Sequence, residues 1–144
     1  MVEVIPKQSI GEAELGLTIE QMRAIFDNKF THSVTNGIVD YFDEVRMEVE
    51  YVDNKAVYIG LNVPEKAQYN GVKLGELTYR NIKDLFRHSE DRYGDYASLT
   101  FMDLGIAFYF EDHTEVGDQK ARQVSVFSDG YYHNQLEIFE RLVD

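Results

Sequence analysis

One pattern occurs twice in this chain and limits what it can fold into. Leu15-Gly-Leu-Thr-Ile-Glu-Gln-Met-Arg-Ala-Ile-Phe26 is echoed by Leu74-Gly-Glu-Leu-Thr-Tyr-Arg-Asn-Ile-Lys-Asp-Leu-Phe86. Aligned on Thr18 and Thr78, Ile19, Met22, Ile25 and Phe26 fall on Tyr79, Ile82, Leu85 and Phe86. An i, i+3, i+6, i+7 interval closes into one stripe on an α-helix, so both segments read as amphipathic helices. Each threonine is an N-cap whose hydroxyl can accept from an N–H of the first turn, and Thr18 with Gln21 completes a capping box. Leu136, Phe139, Leu142 and Val143 repeat the interval and predict a third, C-terminal helix.

The remainder alternates as strands do. Met47, Val49 and Tyr51 interleave with Arg46, Glu48 and Glu50; Asp53-Asn54-Lys55 turns the chain, and Val57, Ile59 and Leu61 return. That is a hairpin with one apolar and one charged face. Ala97–Asp103 and Ile106–Glu111 predict a second antiparallel pair hinged at Leu104-Gly105, and Arg122–Ser128 a further strand ending at Asp129-Gly130. Asn36-Gly37 marks a turn between Thr31–Thr35 and Ile38–Phe42. Helix, strands, helix, strands, helix in one 144-residue domain predicts an α+β fold. Its three amphipathic helices would pack on one face of a largely antiparallel sheet, with an internal helix-plus-hairpin duplication suggested by the echo.

Charge narrows the function classes. The formal net charge is −12, and two stretches hold all of it. Residues 40–53 carry six acids against Arg46, and residues 90–118 carry eight against Arg92. Such a field disfavours nucleic acid and anionic membrane and favours a cationic partner. Arg80, Lys83 and Arg87 share one helix face, but beside an acidic loop they read as a solvated surface. Cysteine is absent, which suits a reducing compartment. The opening residues lack a basic flank followed by an apolar run, and no apolar stretch has the length of a membrane span.

Catalytic and metal signatures do not emerge. His32, His88, His113 and His133 have no ligand spacing among them, and Glu111-Asp112-His113 on one extended segment point in different directions. The acidic runs lack a calcium loop, and no phosphate loop or nucleophile elbow is present. No cofactor is expected and enzyme activity is not, although a hydrolytic carboxylate pair has no sequence signature that would reveal it.

Acid–aromatic mixtures carry the functional reading. Ser89–Tyr96 holds Glu90, Asp91, Tyr93, Asp95 and Tyr96, while Asp40–Glu44 holds Asp43 and Glu44 and leads to Glu48 and Glu50. Tyrosine offers contact area at small entropic cost and carboxylates steer a basic target, so these nine side chains are the candidate partner-binding residues.

Several segments also carry a family likeness. Ile10-Gly and Leu15-Gly-Leu-Thr before a helix, Tyr69-Asn-Gly-Val, Leu77-Thr, Asp103-Leu-Gly-Ile-Ala-Phe-Tyr-Phe110 and Val126-Phe-Ser-Asp-Gly-Tyr-Tyr132 resemble small bacterial immunity-type proteins. The resemblance implies a cytoplasmic protein that binds and blocks a cognate toxin domain, a basic nuclease by its charge. The competing expectation is a small-ligand or regulatory protein-binding module without catalytic activity.

Overall fold

The computed structural model describes residues 1–35, 37–94, 97–111, 119–132 and 140–142. Two helices of seven residues occur among them, α1 (Ile19–Ile25) and α2 (Tyr79–Leu85). Both begin in a reciprocal capping box. Thr18 Oγ1 accepts from Gln21 N at 3.2 Å while Gln21 Oε1 accepts from Thr18 N at 3.0 Å. Thr78 and Asn81 repeat this at 3.2 and 3.1 Å. Met22 and Ile82 are the fully buried centres of the two apolar stripes.

Apart from two 3-10 turns, Pro64–Lys66 and Leu74–Glu76, the other regular elements among the described residues are strands. A five-stranded sheet runs β3-β2-β1-β8-β9, built from β1 (Val2–Ile5), β2 (Ser9–Ile10), β3 (Ala13–Glu14), β8 (Ala67–Tyr69) and β9 (Val72–Lys73). Its β1–β8 pair is parallel. An eight-stranded antiparallel sheet runs β10-β11-β12-β13-β7-β6-β5-β4. One meander supplies β4 (Thr31–Ser33), β5 (Ile38–Phe42), β6 (Met47–Val52) and β7 (Lys55–Leu61). The other supplies β10 (Arg92–Gly94), β11 (Ser98–Phe101), β12 (Ile106–Tyr109) and β13 (Gln123–Phe127). They join where β7 pairs with β13, Ile59 opposite Val126. The molecule is therefore a structural repeat of a helix followed by a four-stranded meander.

Residue parity sorts the large sheet into two faces. Met47, Val49, Ile59, Leu61, Leu99, Phe101, Ile106, Phe108, Val124 and Val126 point inward and are buried. The small sheet and both helices cover them, so that Val4, Ile10, Ala13, Met22 and Ile82 belong to the same core. Gly16 N donates to Ala56 O and Ala56 N to Leu17 O, each at 2.8 Å, tying the chain after β3 to β7. The outer face presents Tyr41, Glu48, Glu50, Tyr58, Gln123, Ser125, Tyr109, Thr100 and Tyr93, following the pairing register.

The expected α+β fold with three helices on a single sheet is overturned. The protein is mostly β, with two sheets, and the repeated unit is longer than a helix plus hairpin. Most of the expected C-terminal helix, and Asn36 of the expected turn, lie outside the described residues. Its described part is not helical. Gly94 N donates to Glu140 O and Leu142 N to Arg92 O, both at 2.9 Å, and Arg141 bridges Tyr93 antiparallel, so this segment extends along β10. Pairing with an open sheet edge wins over local helical spacing there, because β10 offers backbone groups that need partners.

Candidate functional site

The inner side of the first meander holds a buried polar cluster. Asp40, level with Phe42 on the inward face of β5, is fully buried. Burial alone would push its carboxyl up, but donors from Arg23, His32 and Tyr51 outweigh that and hold it below the usual range. Arg23 of α1 forks onto it, Nε to Oδ2 at 2.8 Å and Nη2 to Oδ1 at 2.9 Å. His32 Nδ1 from β4 donates to Oδ1 at 2.9 Å and Tyr51 Oη from β6 to Oδ2 at 3.1 Å. Arg23 also lies over the Phe30 ring at 3.9 Å. One carboxylate thus fastens α1, β4, β5 and β6 together.

In front of this lock stands an exposed acid–apolar ribbon. Val34, Ile38, Tyr41, Val45 and Val52 are five of the eight large apolar side chains exposed among the described residues. Asp43, Glu44, Glu48, Glu50 and Asp53 follow or lie between the last three of them in sequence. Beside the β5–β6 turn opens an apolar socket of about 430 Å³, walled by Val2, Phe26, Val45, Met47 and Leu61 and rimmed by Glu44. Asp43 accepts from Thr31 Oγ1 and Glu44 from Lys29 Nζ, each at 3.3 Å, and both acids remain exposed.

The nine expected contact residues do not form one surface. Asp43, Glu44, Glu48 and Glu50 share the ribbon, whereas Glu90, Asp91 and Tyr93 lie at the β10 edge; Asp95 and Tyr96 are outside the described residues. Five strand spacings separate β6 from β10, about 24 Å at the usual interval. Because β6 and β12 run in opposite directions, the turns that lead into them occupy opposite ends of the sheet.

Several of these side chains also hold the fold. Gln123 Nε2 donates to Glu48 at 2.6 Å and to Asn62 at 2.8 Å while its Oε1 accepts from Tyr58 at 2.6 Å. Gly60 makes room for this, since a Cβ there would sit 2.9 Å from the Gln123 amide nitrogen. Glu50 accepts from Tyr131 Oη at 2.6 Å. Burial, then the bond to Glu50, pushes the Tyr131 hydroxyl far up; burial carries Tyr132 to about 12. At the far corner, Asp103 accepts from the Ser89 hydroxyl and from Glu90 N at 2.9 Å. Asp91 accepts from Arg141 at 3.2 Å, and Arg141 covers the Tyr93 ring at 5.3 Å.

Sequence reasoning missed Arg23, His32 and Tyr51, and counted Asp40 only as surface charge. The signal was present: Asp40 shares strand parity with Phe42, and an acid in an inward row requires donors.

No family model matches the chain, and no curated protein matches it. Among solved structures it is similar to the crystal structure of the uncharacterized protein yfeY from Escherichia coli, at 16% sequence identity and a TM-score of 0.56. The match covers 85% of this chain and 98% of that one, and what the two share is the fold.

Proposed function

We propose that this is a non-catalytic binding protein whose β4–β6 ribbon captures a basic partner protein. The immunity-type resemblance makes a cytoplasmic toxin-neutralising role the specific form of this reading. The single observation that carries it is that five of the eight large apolar side chains exposed among the described residues lie within the acidic stretch 40–53 or in the six residues before it. Acids steer a cationic target and fix its register; Tyr41, Ile38 and Val45 offer apolar contact; the adjoining socket suits one anchoring side chain. The Asp40 cluster holds the ribbon rigid before binding, which lowers the ordering cost of association. Among the described residues no helix is long and apolar enough to cross a membrane.

The test is stopped-flow association with a candidate basic toxin-type domain. Asp43 and Glu44 are exposed, so D43K/E44K leaves the fold intact. At low salt it slows association at least about tenfold, with a smaller effect at physiological ionic strength where the field reaches only about 8 Å. Tyr41→Ala instead raises the dissociation rate. Equal association rates for the wild type and D43K/E44K at low salt overturn the ribbon as the steering surface.

A small-ligand module would use the socket alone. It predicts an apolar ligand whose affinity D43K/E44K does not change and which Met47→Trp displaces.

A further inference from the structure

The α2 side of the molecule carries the opposite charge from its surroundings. Arg80 and Lys83 on α2, Arg87 in the turn just after it and Arg92 at the start of β10 line a groove of about 380 Å³, with Asp84 as the one acid among these lining residues. Arg80 and Arg87 are exposed and Lys83 and Arg92 half-buried. Arg80, Lys83 and Arg87 repel one another, and the Arg87–Asp84 contact at 3.2 Å relieves little of that repulsion, since both side chains are about three-quarters exposed.

The repeat provides an internal control. Sixty residues earlier, the equivalent positions on and just after α1 hold Glu20, Arg23, Ala24 and Asp27, two acids and one base in place of three bases and one acid. Helix α1 forms with the same length and the same capping geometry. The scaffold therefore does not require cations on this face, and Arg92 adds a fourth from another element.

We propose that this groove binds a compact phosphorylated anion, of the size of a diphosphate group. Guanidinium forks match phosphate oxygens in pairs, and three of the four cations are arginines. A long polyanion is a poor fit, because beyond the groove it would enter the field of a protein with net charge −12. A diphosphate stays within about one Debye length of the local positive charge.

The experiment is calorimetric titration of the full chain with inorganic pyrophosphate at 150 mM salt, with sulfate at matched ionic strength as comparison. Nitrogen-resolved NMR of the arginine Nε–H groups locates the response. Pyrophosphate binding with shifts confined to Arg80, Arg87 and Arg92 is expected. R80A/R87A, at two exposed positions, should weaken it about tenfold or more, the scale of one lost charge-assisted bond. Asp84→Asn, which removes the competing carboxylate, should bind at least as tightly as the wild type. An equal response to sulfate, shifts elsewhere, undiminished affinity in R80A/R87A, or no heat and no shift with millimolar pyrophosphate each overturn the proposal. The site lies on α2 and β10, so its failure leaves the β4–β6 reading untouched.

Discussion

The two halves are built alike and filled differently. In each, the helix C-cap phenylalanine packs on the last residue of the second strand: Phe26 on Phe42 at 4.5 Å between ring centres, Phe86 on Phe101 at 5.0 Å. The following turns match as well. Val45 N donates to Phe42 O and Leu104 N to Phe101 O, both at 3.2 Å, and each turn ends in left-handed backbone, Arg46 at φ 57° and Gly105 at φ 69°. Register then assigns the remaining equivalents. Asp40 and Leu99 stand two residues before those phenylalanines; His32 pairs with Asp40 as Gly94 pairs with Leu99. Tyr51 and Phe110 stand four residues after Met47 and Ile106. A cluster of Arg23, His32, Asp40 and Tyr51 in one half is thus Lys83, Gly94, Leu99 and Phe110 in the other. The scaffold accepts an apolar filling at these positions, so the buried carboxylate is not a requirement of the fold. Its consequence is local: it fixes the ribbon that carries the exposed acids.

That comparison breaks most directly at Asp40. Asp40→Leu, which imports the other half's residue alone, leaves Arg23 without its buried counter-charge and should cost about 3–5 kcal/mol in urea unfolding. Adding Tyr51→Phe and Arg23→Met, so that no polar group is stranded, should recover most of the loss. If the single change costs under about 1 kcal/mol, the cluster is not what fastens the ribbon.

Next in size is the pair of C-cap phenylalanines. Phe86 is fully buried and touches Tyr69, Phe101 and Phe108, whereas Phe26 is only half-buried and borders the socket. Phe86→Ala should cost about 3 kcal/mol and Phe26→Ala clearly less. Equal losses would mean that the socket wall is as tightly packed as the α2 core.

What was legible in advance follows the same physics. Both helices and the hairpins around Asp53-Asn54 and Leu104-Gly105 carry local signals, a cap or a turn beside a clear period, and they form where those signals lie. The small sheet carries none. Its strands are two to four residues long, too short to display alternation, and its β1–β8 pair joins segments more than sixty residues apart. The expected third helix shows the limit of spacing alone, since Leu142 bonds to the β10 edge instead. At the candidate site, acidic composition was readable, but position was not. Glu48 and Glu50 read as free surface charge, yet one receives Gln123 from β13 and the other Tyr131. Those partners come from more than seventy residues away, beyond any local pattern.

The halves also differ in how they meet acid. Asp40 and Asp103 both titrate below the usual carboxylate range: burial opposes this in each, and hydrogen bonds to the charged form prevail. A depressed folded pKa gives stability that is whole above the unfolded value near 4 and is lost as pH falls toward the folded one. Asp40→Asn should therefore flatten the acid limb of the stability curve more than Asp103→Asn, because only Asp40 is wholly buried. At the other extreme, Tyr131 and Tyr132 are raised, so stability intact below pH 10 should decline as the unfolded chain ionises between pH 10 and 12. Urea midpoints across pH check both limbs, and a Tyr132→Phe variant that declines as steeply would clear Tyr132 of a part in the alkaline one.

The smallest effect tests where the halves should not differ. Each helix has its threonine box, and each has its next N–H satisfied by the segment that follows the third strand of its meander. In the first half Ile19 N donates to Asn54 Oδ1 at 3.2 Å; in the second Tyr79 N donates to Gln119 O at 2.8 Å. With cap geometry this similar, Thr18→Ala and Thr78→Ala should each cost about 1 kcal/mol. Thr78 has one further tie, a backbone bridge to Lys120, which an alanine preserves. A Thr78 loss more than twice the Thr18 loss would therefore place the extra energy in the threonine side chain, where Oγ1 also donates to Asn81 Oδ1 at 2.9 Å, and would show that the two caps share a shape without sharing a strength.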